Sequence, residues 1–283
     1  MTDGFSLWGI SSNLPYNPNW EVEQIFSNNL FKRAFSQRYF YLGKGCQSYV
    51  FESEDGIFVI KFFKFKHLKD PFFLKLWPFS SLFCKTLTHK LFKKEIKRDQ
   101  LFLGCKHAFE RLKEETGLLF LHLNKTNFIH KKIEVIDKLG FSHHLELDET
   151  IFILQKKAKP CSDVIREAIN VDSFDVLRQI TREIYRLILI RNLKGMEDKD
   201  PAFIQNIGFN DTKAMILDVG HLHARDRAIN IEELKNDIRL RMGEFRGYLK
   251  MYFPKALQAF DEEFYSCLQD LEDSSFILTS SFP

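Results

Sequence analysis

Tyr39-Phe40-Tyr41-Leu42-Gly43-Lys44-Gly45-Cys46-Gln47-Ser48-Tyr49-Val50-Phe51 leads through Glu52-Ser53-Glu54-Asp55-Gly56 into Ile57-Phe58-Val59-Ile60-Lys61-Phe62-Phe63, and this stretch decides the fold of the chain. Two runs rich in aromatic and β-branched residues flank an Asp-Gly step, a strong local signal for a β-hairpin. The first strand is expected over Tyr39–Phe51, the turn over Glu52–Gly56 and the return strand over Ile57–Phe65. Gly43 and Gly45 would let backbone N–H groups come close to phosphate oxygens, where a Cβ would obstruct. Alone, a G-x-G in a strand is a bulge or bend more often than a ligand site. Lys61 lies in an apolar strand, where a charged side chain needs a partner, a bound anion or a place at the sheet rim.

A second motif lies far along the chain. Asp198-Lys199-Asp200-Pro201-Ala202-Phe203-Ile204-Gln205-Asn206-Ile207-Gly208-Phe209 is followed by Ala214-Met215-Ile216-Leu217-Asp218-Val219-Gly220-His221. A short apolar strand ending in Asp-x-Gly places one carboxylate at the strand tip, and Asn206, on the loop before the hairpin, can point to the same spot. An amide oxygen and a carboxylate are hard ligands suited to Mg²⁺ on nucleotide phosphates. The plain alternative is Asp218 in an ordinary β-turn.

Outward from these motifs, residues 1–38 read as a leader with a helix about Glu21–Phe35. Residues 62–98 read as a basic, aromatic insert in which Lys64, Lys66, Lys69, Lys75, Lys85 and further cations alternate with Phe72, Phe73, Trp77 and Phe79. It is either a helical elaboration with snorkelling lysines or a contact surface for an anionic membrane or a protein partner. A long helix is expected from Leu91 to Leu121, with Leu101, Cys105, Ala108, Phe109, Leu112, Thr116 and Leu119 on one face. Strands follow at Lys132–Leu139 and Glu149–Gln155, then a linker at Lys156–Ser162. Helices are expected at Ser173–Arg191, Ile231–Phe253 and Pro254–Leu271, before a loose tail. Strands first and helices later argue for an α+β fold in two lobes, with a sheet-rich part over 39–155 and a helical part over 156–273.

Composition excludes little but is consistent. The 283 residues are 45% apolar and 28% charged, with a net charge of +3 and 30 phenylalanines, values of a globular chain without a nucleic-acid partner. The opening Met1-Thr2-Asp3-Gly4-Phe5 lacks the pattern of a signal peptide, no uncharged apolar run reaches about 20 residues, and five scattered cysteines read as reduced thiols. A cytoplasmic setting is the expectation. His143-His144 and His221-Leu222-His223 lack the spacing of a zinc site.

Taken together and in this order, the two motifs resemble the protein-kinase-like superfamily, in its atypical bacterial branch, over about residues 39–225. The resemblance implies a two-lobed α+β fold with an antiparallel sheet and one long helix in the first lobe and a small helical second lobe. It also implies ATP and Mg²⁺ as cofactors and transfer of the γ-phosphoryl group to a hydroxyl substrate. Gly43, Gly45 and Ser48, the last at the third glycine position, would cover the phosphates; Lys61 would hold them; Asn206 and Asp218 would hold the metal, with Val219 in place of the usual Phe. The family's glutamate partner for the lysine comes from the long helix, and its periodicity favours Glu115, then Glu95. No His-Arg-Asp precedes Asn206, and the five-residue step back lands on Pro201. A one-residue insertion leaves Asp200 as candidate base, with Asp198 second; otherwise the base is lost and the chain is a pseudokinase that binds through its basic insert.

Overall fold

The computed structural model describes residues 3–24, 29–65, 80–200 and 202–280, with backbone alone over 80–92 and 273–280. The chain divides into two compact units, Met1–Lys113 with Leu118–Lys157, and Glu114–Gly117 with Ala158–Pro283. The architecture is mixed α+β, with an antiparallel-rich sheet in the first unit and mostly helix in the second. Much of the basic insert lies outside the described residues. Within the described residues, no helix is long and apolar enough to cross a membrane.

The first unit opens with α1 (Leu7–Ile10) and α2 (Asn29–Ala34); of the helix expected about Glu21–Phe35, α2 is helical, Glu21–Gln24 are not, and residues 25–28 lie outside the described residues. The hairpin region follows as three strands, β1 (Tyr39–Lys44), β2 (Ser48–Ser53) and β3 (Phe58–Phe63). The single strand expected over Tyr39–Phe51 therefore breaks at Gly45–Gln47, and the glycine motif is itself a hairpin turn. The long helix α3 runs Ser80–Arg111 and stops ten residues short of its expected end. A single turn, α4 (Lys113–Thr116), leads to β4 (Leu118–His122), then β5 (Lys132–Ile136), β6 (Ser142–Glu146) and β7 (Phe152–Lys156). The seven strands lie in the order β4-β7-β3-β2-β1-β5-β6. Every pairing is antiparallel except β1 with β5, which is parallel, so the sheet is antiparallel-rich with one parallel pair.

The phenylalanine content is explained by the core on this sheet. Phe5 from the leader meets Tyr49 and Phe51 edge-on at 5.4 and 5.0 Å, Phe51 meets Phe62 at 5.6 Å, and Phe31 and Phe35 meet Phe120. Such edge-to-face pairs add about 0.5–1.5 kcal/mol each to the burial of the rings. The leader is thus part of this unit's core. The Tyr39 hydroxyl donates to Ala34 O at 2.8 Å and anchors the start of β1 beneath α2.

In the second unit, the expected linker contains β8 (Lys159–Pro160) and the start of α5 (Cys161–Asn170). Then come α6 (Phe174–Leu193), β9 (Met196–Asp198), a 3-10 turn at Phe203–Asn206, β10 (Ile207–Asn210), β11 (Lys213–Ile216) and β12 (Leu222–Ala224). Two helices close the chain, α7 (Ile231–Tyr252) and α8 (Leu257–Ser280), so the expected loose tail is helical backbone as far as Ser280. α6 is the central helix, buried through Leu177, Ile180, Ile184, Leu187 and Ile188 against α7 and α8. A capping box fixes the start of α7, where Asn230 Oδ1 accepts from Glu233 N at 2.8 Å and the Glu233 carboxylate accepts from Asn230 N.

Candidate functional site

In the first unit the candidate groups sit on three adjacent strands. Tyr41 pairs with Phe51 and Gly43 with Val50, which leaves Leu42 as the extra residue of a β-bulge just before the turn. Bulges sharpen local twist and recur beside functional sites. Gly45 N donates to Ser48 O at 3.0 Å and closes the turn, while Lys64 N donates to Gln47 O at 2.8 Å and the Lys64 ammonium to Gly45 O. That ammonium stands 4.8 Å from the Tyr49 ring centroid, and burial, then Lys44, draws its pKa below the ordinary lysine value.

Gly43 and Gly45 have no left-handed backbone, and a Cβ at either position would meet nothing within 4 Å. Neither the fold nor the packing requires glycine there, so the space over the turn is open. Lys61 pairs with Val50 on β2 and Ile153 on β7, half-buried between fully buried Ile60 and Phe62. Its strand is flanked on both sides, so Lys61 is not at a sheet rim.

In the second unit the loop between β9 and β10 gathers the other candidates. Asp198 is buried, and its Oδ1 accepts from Asp200 N at 2.9 Å. Burial pushes the Asp198 carboxyl above the usual carboxylate range, against the pull of Asp200 N–H, Arg191 and Arg241. Asp200 Oδ1 accepts from Ala202 N and Oδ2 from Asn206 Nδ2, both at 2.7 Å. His221 Nε2 lies 3.9 Å from the same Oδ2.

The β10–β11 hairpin sets Asn206 beside the chain entering Asp218. Ile207 pairs with Ile216, and Leu217 N donates to Asn206 O at 2.7 Å. Asp218 Oδ1 accepts from Gly220 N at 3.0 Å, and Val219 is buried. Gly208 is a position where close approach demands glycine, since a Cβ would come within 2.9 Å of Leu217 and 3.0 Å of Lys159 O. The Asn206 side chain bonds Asp200 through its Nδ2, and the Asp218 side chain bonds Gly220 N through its Oδ1. An amide oxygen and a carboxylate oxygen are the donor types that a Mg²⁺ carrying phosphate and water ligands takes. No group of three or more His, Cys, Asp or Glu among the described residues is arranged to hold a metal ion by itself.

Glu115 departs from its expected place. It lies on the single turn α4, not on the long helix, and its two oxygens accept from Lys194 Nζ at 2.9 and 2.8 Å. The periodicity that pointed to it assumed one continuous helix through Leu121. Glu95, on α3, is solvent-facing and stands 3.6 Å from Arg98 Nη2.

No protein-family model and no curated protein matches the chain. Among solved structures, the complex structure of Rv3197-erythromycin from Mycobacterium tuberculosis is similar at 14% identity and a TM-score of 0.39, over 85% of this chain and 61% of that one. The bifunctional kinase-methyltransferase WbdD is similar at 10% identity and a TM-score of 0.33, over 77% of this chain and 43% of that one. The chain spans less than two thirds of the length of either.

Two buried arginines beside the loop were not singled out by motif reading. Arg191 is fully buried and donates from Nη2 to Asp237 Oδ2, with Nη1 3.9 Å from Asp198 Oδ2. Arg241 is buried on α7 and reaches backbone carbonyls of the same loop. Both sit on the apolar stripe of their helices, among Ile184, Leu187 and Ile188, and among Ile238, Met242 and Phe245. A cation on such a stripe needs a buried partner, and this is the signal by which sequence could have found them.

Proposed function

We propose that the chain is an ATP- and Mg²⁺-dependent phosphotransferase of kinase-like fold that acts on a hydroxyl group. The observation that carries this reading is the grouping of Asp200, Asn206 and Asp218. The Asp200 carboxylate holds the Asn206 amide by its Nδ2, and the hairpin sets Asp218 next to the Asn206 backbone. An amide whose nitrogen is tied to a carboxylate turns its oxygen elsewhere, as a metal ligand must. Support from the first unit is the open space over Gly43 and Gly45 and the place of Lys61 on the third strand. Phosphoryl transfer asks the protein chiefly for positioning and charge stabilisation, which these groups can supply.

Thermal unfolding tests the reading. Mg²⁺-ATP at about 100 times its Kd is expected to stabilise the protein by about 2.7 kcal/mol, through binding to the folded state. Lys61→Ala should abolish the rise in midpoint, and Asp218→Asn should remove its Mg²⁺ dependence. No rise in the wild type at millimolar nucleotide would sink the proposal. Gly43→Ala separates ligand from fold. Without ligand it should leave stability unchanged or raise it by up to about 1 kcal/mol, because alanine costs less chain entropy in a strand. Its affinity for Mg²⁺-ATP, by calorimetry, should nonetheless fall.

A second reading is favoured by one observation, that both oxygens of Asp200 already accept hydrogen bonds. On it the chain is a pseudokinase that binds nucleotide without transfer. Saturable Mg²⁺-ATP binding with no phosphate release or transfer would select it.

A further inference from the structure

Two carbonyl groups of the Asp200 loop converge on one buried guanidinium. Arg241, 7% exposed on the inner face of α7, donates from Nη2 to Asp198 O at 2.5 Å and from Nη1 to Asp200 O at 3.0 Å. Its guanidinium carbon stands 5.3 Å from the centroid of the Phe203 ring, just beyond the loop. Glu244 Oε2 accepts from Nη1 at 3.1 Å and Asp237 Oδ1 lies 3.9 Å from Nε, so carboxylates on α7 meet part of its charge, and Asp198 feels it as well.

We infer that Arg241 is a positioning residue for Asp200. Neutral carbonyls do not call for a buried cation, and a buried cation is costly without compensation. What guanidinium supplies is a rigid planar fork that bonds two acceptors at once. Here the acceptors are the carbonyls one residue either side of Lys199, so the fork fixes the path of the chain from Asp198 to Asp200. The loop is also held by the pairing of Asp198 with Leu222, by Lys199 N donating to His221 O at 3.1 Å, by Asp200 N donating to Asp198 Oδ1 at 2.9 Å, and by the turn from Phe203 after it. With both carbonyls tied inward, the Asp200 side chain is presented on the opposite side, toward Asn206. Lysine keeps the charge but offers a point donor, which cannot hold both carbonyls in one plane.

The catalytic consequence rests on the phosphotransferase reading, whereas the structural one does not, and the test separates them. The full chain is compared as wild type, Arg241→Lys and Arg241→Ala by NMR of the Asn206 side-chain amide, by calorimetry with Mg²⁺-ATP, and by phosphate release. In Arg241→Lys the Asn206 amide resonances should shift and their exchange with water should quicken about tenfold or more, while the remaining spectrum stays folded. Turnover at saturating Mg²⁺-ATP should fall at least about tenfold, and the Mg²⁺ concentration at half-saturation should rise, because Asn206 is the proposed metal ligand. In Arg241→Ala, added guanidinium should restore the Asn206 signals and added methylammonium should not. Unchanged Asn206 signals in both variants would overturn the inference, as would rescue by either cation alike. If the wild type neither binds Mg²⁺-ATP nor releases phosphate, the functional reading fails, and the Asn206 signals still decide the role of Arg241.

Discussion

Replacing Arg191 with methionine is expected to destabilise the folded protein by about 3–5 kcal/mol, read as a shift of the urea midpoint at constant slope. The side chain is wholly enclosed, and its Nη2 donates to Asp237, whose Oδ2 also accepts from Asn192 Nδ2 at 2.6 Å. Asn192 Oδ1 in turn accepts from Arg225 Nη2 at 2.9 Å. Burial draws the Arg191 pKa down and the Asp198 pKa up, so on both sides desolvation outweighs the attraction between them. The network is therefore costly as a whole, yet costlier to break in part, because methionine would leave buried Asp198 and half-buried Asp237 with less positive charge. Arg191→Met combined with Asp237→Asn should recover part of the loss, and a double-mutant cycle measures the coupling. The pH dependence has a definite sign. A carboxyl whose folded pKa lies above its unfolded one favours the folded state when protonated, and that contribution is lost as pH rises through the folded value. Without Arg191 the Asp198 carboxyl moves further up, so the deficit should shrink as the pH is lowered from 7 toward the ordinary carboxylate range. A deficit that does not change with pH would show that Asp198 is not the group left uncompensated.

The legible parts of this fold were those whose chemistry is local. The Asp55-Gly56 turn, the Lys61 strand and the stripes of α6 and α7 each follow from a short run of residues. The long helix was read too far because Leu118, Leu119 and Leu121 continue its apolar pattern. The helix in fact breaks at Leu112, and Gly117, with φ +62°, ends the separate α4 turn, as a helix-ending glycine does. Strand β6, Ser-His-His-Leu-Glu, buries only Leu145, so no alternation of apolar residues announced it. α5 was hidden by Pro160, read as a linker residue although it stands at the position just before the helix. In the candidate site, the order of Asp200, Asn206 and Asp218 was visible, but the hydrogen bond from Asn206 to Asp200 was not. The partner of Glu115 was not visible either, since Lys194 lies 79 residues away and only the three-dimensional fold brings it close.

The second large effect is expected at Asp200. On the phosphotransferase reading its carboxylate accepts the proton of the substrate hydroxyl, a role that contributes about 10²–10⁴-fold to rate. Asp200→Asn should lower phosphate transfer by that range and leave the fold intact, because the side chain keeps its size and its Oδ1 can still accept from Ala202 N. The substitution has a second consequence. Asparagine would set its own Nδ2 against the Asn206 Nδ2 that now donates to Asp200 Oδ2. Two donors cannot bond, so the Asn206 amide is expected to turn over and offer its oxygen to residue 200. That oxygen is then withdrawn from Asp218, and Mg²⁺ should be required at higher concentration for nucleotide binding. Asp200→Asn is thus distinguished from loss of a remote base by two readings taken together, a fall in turnover and a rise in the Mg²⁺ concentration at half-saturation. Asp198→Asn makes the contrast, since that carboxylate faces Asp200 N–H and the arginines, not Asn206. It should alter stability and leave the Mg²⁺ requirement where it was. Should Asp198→Asn abolish transfer with stability unchanged while Asp200→Asn remains active, the base would have to be reassigned to Asp198.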